Sequence, residues 1–223
     1  MRQIAPDVWH VPVLPRNGVN VYVIGNVLVD TGVRTSAGPI REALGSHTVD
    51  TIALTHAHGD HGGSARKLGL PVWVGALDRD ATETGKVVAK SPYDKPGLSV
   101  IAGLMGNFPG VPVARELREG DSLAAGFTVI DTPGHSPGHV SFWRERDRVL
   151  ICGDVFFNMH VLTTAPGLRE PPGPFTVDVE QNRRSERRVA SLEPSVVGFG
   201  HGPVITEDAA GKLARFVEKL PAT

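Results

Sequence analysis

The run Thr51-Ile52-Ala53-Leu54-Thr55 has no charge and no apolar/polar alternation, and it ends at His56. A strand with one wet face alternates, whereas a continuous apolar run of strand length needs cover on both faces. A chain containing it must place layers on either side of a sheet. Residues 8–11, 19–24 and 27–30 are runs rich in β-branched side chains, separated by Arg16-Asn17-Gly18 and Gly25-Asn26. Those are turn signals, and the pattern is an antiparallel opening. Over 36–45 the spacing becomes helical, with Pro39 early, where a missing N–H does no harm, and Gly45 as the stop.

The rest of the chain alternates the two periods. Further strands are expected at 70–74, 127–131, 139–143, 149–152 and 195–199, and helices at 60–68, 77–84, 99–105, 179–192 and 207–220. The strands fall into two groups, each mixing hairpins with helical crossovers. This predicts an α/β fold, a four-layer αββα sandwich in which two mixed β-sheets pack face to face with helices outside. No linker or repeat divides the sequence, so residues 1–223 are read as one domain. Segments 76–111 and 156–174 are read as insertions, the first being too short to own a core.

Composition removes several classes. One Cys in 223 residues leaves no disulfide framework. With 23 Lys and Arg against 24 Asp and Glu, the formal net charge of −1 gives no field that would draw a nucleic acid. No apolar run approaches the roughly 18 to 20 residues that span a bilayer. Nor is Met1-Arg2-Gln3-Ile4-Ala5-Pro6 followed by the apolar stretch of a secretory signal. The expectation is a cytoplasmic monomer or homodimer acting on a small molecule, without membrane or nucleic-acid partners.

Nine histidines matter only if they are arranged. Thr55-His56-Ala57-His58-Gly59-Asp60-His61-Gly62-Gly63 puts three imidazoles and a carboxylate directly after the buried strand. His56 and His58 can project to one side of an extended loop, while Asp60 and His61 belong to the turn that follows, so one segment can feed two neighbouring metal positions. Imidazole nitrogen and carboxylate oxygen suit zinc, manganese and iron, and the glycines permit the tight backbone such a loop requires. The lone Cys152 excludes a Cys-rich zinc site. Three more donors follow apolar strands with glycine beside them: His135 in Thr132-Pro133-Gly134-His135, Asp154 after Gly153, and His201 in Gly200-His201-Gly202. Donors converging from separate strand ends are how a rigid scaffold builds a site.

With these motifs, in this order and over essentially its whole length, the chain resembles the metallo-β-lactamase-fold superfamily, including the segment Val29-Asp30-Thr31-Gly32. The resemblance implies two divalent cations, zinc first, with iron or manganese as other occupants. It implies that His56, His58 and His135 hold one, that Asp60, His61 and His201 hold the second, and that Asp154 bridges them. Asp30 would orient the ligand loop through hydrogen bonds, although an aspartate at a strand end also caps turns. His139 would stand beside the site without coordinating. His10 and His47 lie outside every motif and read as ordinary residues, and His160 reads either as pocket wall or as an uninvolved loop residue.

Two cations sharing a carboxylate can share a water, whose pKa falls from 15.7 toward roughly 7 on coordination. The resemblance thus predicts a dinuclear hydrolase whose bridging hydroxide cleaves a small ester, thioester or lactone. Asp60 would orient the water and pass a proton to the leaving group. Glyoxalase II is similar through the full ligand set, but its substrate-binding helical extension has no counterpart after Gly202. Compact lactonases stay compatible, while β-lactamases of this fold lack the bridging aspartate. The alternatives are a mononuclear iron persulfide dioxygenase and a phosphodiesterase or nuclease of the same fold, the latter disfavoured by the absence of basic excess. Specificity is expected from the two insertions. There Phe156, Phe157, Met159, His160 and Leu162, with Tyr93, Met105 and Phe108, either line an apolar pocket or pack the loops onto the sandwich. Arg183, Arg184, Arg187 and Arg188, interleaved with Glu180 and Glu186, read as a solvated helix face with local ion pairs.

Overall fold

A computed structural model describes residues 1–88 and 106–221. The expected helix at 99–105 and the side chains of Tyr93 and Met105 lie outside those residues. The first sheet runs in chain order through β1 (Arg2–Ala5), β2 (Val8–Pro12), β3 (Asn20–Ile24), β4 (Val27–Val29), β5 (Thr51–Ala53), β6 (Val72–Gly75) and β7 (Val113–Leu117). Pairing is antiparallel from β1 to β4 and parallel from β4 to β7. The second sheet comprises β8 (Thr128–Asp131), β9 (Val140–Arg144), β10 (Val149–Ile151) and β13 (Val196–Gly198), in the order β13-β10-β9-β8. A separate hairpin is formed by β11 (Phe157–Met159) and β12 (Pro166–Arg169).

Period-two alternation sorts the apolar side chains into three cores. Tyr22, Ile24, Val27, Val29 and Ala53 of the first sheet meet Val129, Phe142, Val149 and Ile151 of the second, forming the layer between the sheets. Their neighbours Val21, Val23, Leu28 and Ile52 point the other way, onto Ile40 of α1 (Ala37–Leu44) and Ala65 of α2 (Ala65–Leu68). Leu150 and Cys152 likewise face Val189 of α4 (Val179–Ala190) and Leu213 of α5 (Ala209–Val217). Three apolar interfaces separate four layers, so the expected αββα sandwich is the fold. The 51–55 run is covered on both faces, as its lack of alternation requires: Ala53 faces inward while Ile52 and Leu54 face outward.

Several elements differ from expectation. β1 and β7 were not expected, and both are edge strands whose exposed positions carry polar or charged residues, such as Arg2, Gln3 and Arg115. The hairpin β11–β12 occupies the segment read as irregular. The helix expected from 60 begins only at Ala65, because 59–64 is pinned as a compact loop. His61 and Gly62 donate to the carbonyl of His58, and Thr31 donates to the carbonyl of His61 through both its N–H and its hydroxyl. Gly63 is packed so closely that a Cβ there would sit 2.3 Å from the Gly59 carbonyl oxygen and 2.7 Å from Arg34 N. Within 76–111, residues 76–78 form a 3-10 turn leading into α3 (Arg79–Thr84). Among the described residues no helix is long and apolar enough to cross a membrane.

Candidate metal centre

All seven residues singled out as donors meet at one edge of the sandwich, and every one of them is buried. Their ligand atoms form three overlapping groups, each within 4.8 Å: His56, His58 and His135; His56, His61 and Asp154; Asp60, His61 and His201. Asp154 is central. Its Oδ2 lies 3.3 Å from Nε2 of His61, 3.3 Å from Nε2 of His201, 3.4 Å from Nε2 of His135 and 3.9 Å from Nε2 of His56. Asp60 Oδ2 is 3.2 Å from His201 Nε2. Two ligands of a tetrahedral zinc, each at about 2.0–2.1 Å, are roughly 3.3 Å apart, so these spacings suit donors sharing a cation.

The tautomers follow from the outward hydrogen bonds. Nδ1 of His61 donates to Asp30 Oδ2 at 2.8 Å, and Nδ1 of His201 donates to the Gly18 carbonyl at 2.6 Å. Nδ1 of His135 faces the Thr176 hydroxyl at 3.2 Å, and that hydroxyl itself donates to the Pro172 carbonyl, so the imidazole is the donor. His56 Nδ1 meets Thr55 Oγ1 at 3.0 Å, whose proton goes to Asp30. Each proton on Nδ1 leaves a lone pair on Nε2 aimed inward. Nε2 of His56, His61 and His201, with Oδ1 of Asp154, are buried without any hydrogen-bond partner, as is Nε2 of His58, whose Nδ1 instead faces Nε2 of His135 at 3.0 Å. Leaving that many buried polar atoms unpaired costs about 1–3 kcal/mol each, and a cation placed among them satisfies them together. The residues present fit a metal centre.

The protein's electrostatics divide the site in two. Burial pulls His56 and His135 far below the ordinary histidine range and lowers His58 as well, so the three-imidazole side is neutral and rich in lone pairs. On the other side burial also disfavours charge on His61 and His201, but Asp154 outweighs it, joined by Asp30 and Asp60 at His61 and by Asp60 at His201. His61 is raised well above its usual value and His201 to about 10. Burial opposes ionisation of Asp154 and Asp60 too, yet His201 and His61 hold both carboxyls below their usual range. This half demands positive charge, which imidazolium protons supply and which a bound cation would supply on displacing them.

Backbone geometry places these groups. Asp30, at the end of β4, has φ 61°, a left-handed conformation that aspartate tolerates better than most residues. From there its carboxylate accepts from Thr55 N–H at 2.8 Å, from the Thr55 hydroxyl and from His61. His139 accepts from the Asp154 N–H at 3.1 Å through Nε2, while its Nδ1 faces the Thr132 hydroxyl at 2.8 Å. Burial holds its pKa down at about 3, so it is a neutral acceptor. Gly200 is required: a Cβ there would lie 2.1 Å from Asp154 Oδ1.

Four positioning residues were missed in the sequence. Asp78 is buried at the end of the 3-10 turn and accepts from Ala57 N–H at 2.9 Å, Ser136 Oγ at 2.6 Å and Gly138 N–H at 2.7 Å, so it ties the His56–His58 loop to the His135 loop. Asn20 donates to the carbonyls of Phe199 and Gly202 on both sides of His201, and its Oδ1 pairs with His10 at 2.8 Å. His10 is thus a buried support of the His201 loop. Thr176 orients His135. No motif marks these residues, and their partners are distant in the chain.

The expected pocket residues divide. Phe157 and Met159 face the metal-side space, where Phe157 lies over His201 with ring centroids 4.3 Å apart. Phe156 is a correction: it points the opposite way along the same strand end, into the outer core against Phe216. His160 is another, since its Nδ1 accepts from Leu162 and Thr163 N–H and organises the β11–β12 turn. Leu162 is 80% exposed, and Phe108 packs on Ala57 beneath the ligand loop. His47 bonds the Gly25 carbonyl, away from the site. The arginines of α4 were expected to pair locally on a solvated face; instead Arg183 pairs with Glu170 and Arg188 with Glu119, both outside the helix, and Glu186 is buried.

An αββα sandwich with imidazoles and carboxylates converging from strand ends on one buried point defines a class of metal-dependent enzyme. The chain belongs to the metallo-beta-lactamase superfamily, whose profile matches residues 14–201. It is 32% identical over 219 residues to the probable metallo-hydrolase YflN of Bacillus subtilis (strain 168), covering 87% of this chain and 82% of that protein. It is also 32% identical over 139 residues to a hydroxyacylglutathione hydrolase of Bdellovibrio bacteriovorus, where 60% of this chain matches 44% of the relative. Among solved structures, TTHA1623 in a di-iron-bound form superposes with a TM-score of 0.68 at 31% identity, covering 93% of this chain and 97% of that one.

Proposed function

We propose that this protein is a dinuclear metal-dependent hydrolase that adds water across a small ester, thioester or lactone, giving a carboxylate and an alcohol or thiol. The observation that carries the reading is Asp154, whose one oxygen lies within 3.3 to 3.9 Å of nitrogens from both halves of a complete seven-donor site. His56, His58 and His135 would hold one cation, Asp60, His61 and His201 the other, with Asp154 between them and zinc, iron or manganese as occupants. When bound, the pair supplies Lewis acidity and lowers the pKa of water from 15.7 toward roughly 7.

The chain's own groups do the rest. Asp60 reaches into the chamber bounded by His58, His135, Phe157, Val161 and Phe175, where it can take the proton of the attacking water and hand it to the departing oxygen or sulfur. Phe157, Val161, Pro172 and Phe175 keep bulk water from the reacting carbonyl. Asp30, Asp78 and His139 hold the donors at fixed positions, so the site need not reorganise during turnover. The relatives named as hydrolases support the reaction class, and the complete second set of donors favours hydrolysis over a one-iron oxygenase. The test is to replace His58 or Asp154 by alanine and follow metal content together with turnover of a panel of esters, thioesters and lactones. Joint loss of both is expected. A His58→Ala protein that stays fully active with its metal demonstrably gone would overturn the proposal.

A further inference from the structure

Beside the metal-facing chamber lies a second cavity of about 250 Å³, between the turn that precedes β3 and the β11–β12 hairpin. Its walls include Leu14, Val19, Val33, Met159, Val161 and Phe157, with His201 at its inner end. Phe157 and Val161 line both spaces and stand between them, and His201, a proposed metal ligand 3.2 Å from Asp60, closes the cavity's inner end, so an arm held here would lie against that half of the site. Neither space is lined by a Lys or Arg among the described residues. Exposed Arg16 reaches the lining residue Thr164, donating to its hydroxyl at 3.3 Å.

We infer that this cavity is the specificity site of the enzyme and receives an uncharged, apolar acyl arm of up to about eight carbons. The inference rests on the hydrolase reading above and adds the class of substrate. At roughly 30 Å³ for each water-sized group, the volume takes about eight non-hydrogen atoms in a chain. The inner wall is rigid, because the strained turn that forms it is tied down. Arg16 and Asn17 hold φ of 56° and 57°, the Gly18 carbonyl receives His201, and the Asn17 carbonyl receives Gly202 N–H. A preformed apolar slot of this kind rewards each methylene that enters it. It offers nothing to a thiol partner with two carboxylates and an ammonium group. Among the described residues the slot gives a glutathione moiety no cationic partner, although the chain aligns with 44% of a hydroxyacylglutathione hydrolase.

The test uses two series on the metal-loaded, full-length protein. Binding of acetate, butyrate, hexanoate and octanoate is measured by calorimetry, and kcat/KM is measured for thioesters of the same acyl groups on either ethanethiol or glutathione. Affinity and kcat/KM are expected to rise roughly threefold to fourfold per methylene up to about eight carbons. The two thiols should differ by less than about threefold. Leu14→Trp, which fills the slot, should flatten the series; Leu14→Ala, which widens it, should move the optimum to longer chains. Turnover with no dependence on arm length, a slope that persists unchanged in Leu14→Trp, or a tenfold preference for glutathione would each overturn the inference while leaving the hydrolase reading in place. Chain-length-dependent binding of the carboxylates, with no thioester, oxygen ester or lactone bearing those arms cleaved by protein holding both metals, would refute the hydrolase reading and support the arm site.

Discussion

Replacing Asp78 by asparagine removes one oxygen and one charge from a carboxylate that three donors share. Its Oδ1 accepts from Gly138 N–H, and its Oδ2 from Ala57 N–H and the Ser136 hydroxyl. An asparagine keeps one acceptor oxygen. Whichever way the amide turns, its NH2 faces either the Gly138 or the Ala57 N–H, so one buried backbone donor is stranded. That costs about 1–3 kcal/mol. Ala57 lies between His56 and His58, and Ser136 and Gly138 follow His135, so the penalty falls on the loops that carry the three-imidazole group. A loss of 10- to 100-fold in metal affinity is expected, the range typical of groups that orient ligands and the equivalent of about 1.4–2.7 kcal/mol. The assay is competition with a chromophoric chelator, with circular dichroism to establish that the variant is folded. A folded Asp78→Asn protein with wild-type affinity would refute the reasoning.

Asp30→Asn takes an acceptor from Thr55 and His61, so protein dialysed against a weak chelator should lose about one metal equivalent that the wild type keeps, as read by elemental analysis. Glu186 is buried on α4, and burial, with Glu170 adding to it against Arg183 and Arg187, pushes its carboxyl up to about 9. The folded protein therefore keeps a proton that the unfolded chain releases near 4.5, and stability falls as pH rises from about 4.5 to about 9, by up to about 1.4 kcal/mol per pH unit. Denaturant melts of Glu186→Gln should lose most of that slope and be the more stable protein at pH 8; an unchanged slope would count against the assignment. Gly63→Ala drives a methyl to 2.3 Å from the Gly59 carbonyl oxygen and 2.7 Å from Arg34 N. Its melting temperature should fall by the equivalent of about 1–3 kcal/mol or more, and metal retention should fall with it.

Much of the site could be read from residue order because its donors sit on strand ends with glycine alongside, and both features leave local traces. The 51–55 run announced a sheet covered twice, and the layers follow from its demand. What escaped reading is what depends on distant partners. Asp78 looks like one more polar residue at the start of a helix, and only the fold shows that its partners are Ala57, Ser136 and Gly138. Phe156 and Phe157 are indistinguishable as a pair, yet adjacent residues of extended chain face opposite sides, and one fills the outer core while the other lies over His201. β11 and β12 are three and four residues long and begin a bulged hairpin, too short to show a period. β1 and β7 are edges whose exposed positions favour charge over alternation.

On the proposed reading, seven residues form two cation positions with Asp154 shared between them. Titrating chelator-stripped protein with zinc in a calorimeter, and counting the metal bound at saturation, tests it most directly. Two equivalents per chain are predicted for the wild type, with Asp154→Ala unable to retain the pair. Saturation at one equivalent, unaffected by alanine at Asp60, His61 and His201, would contradict the account.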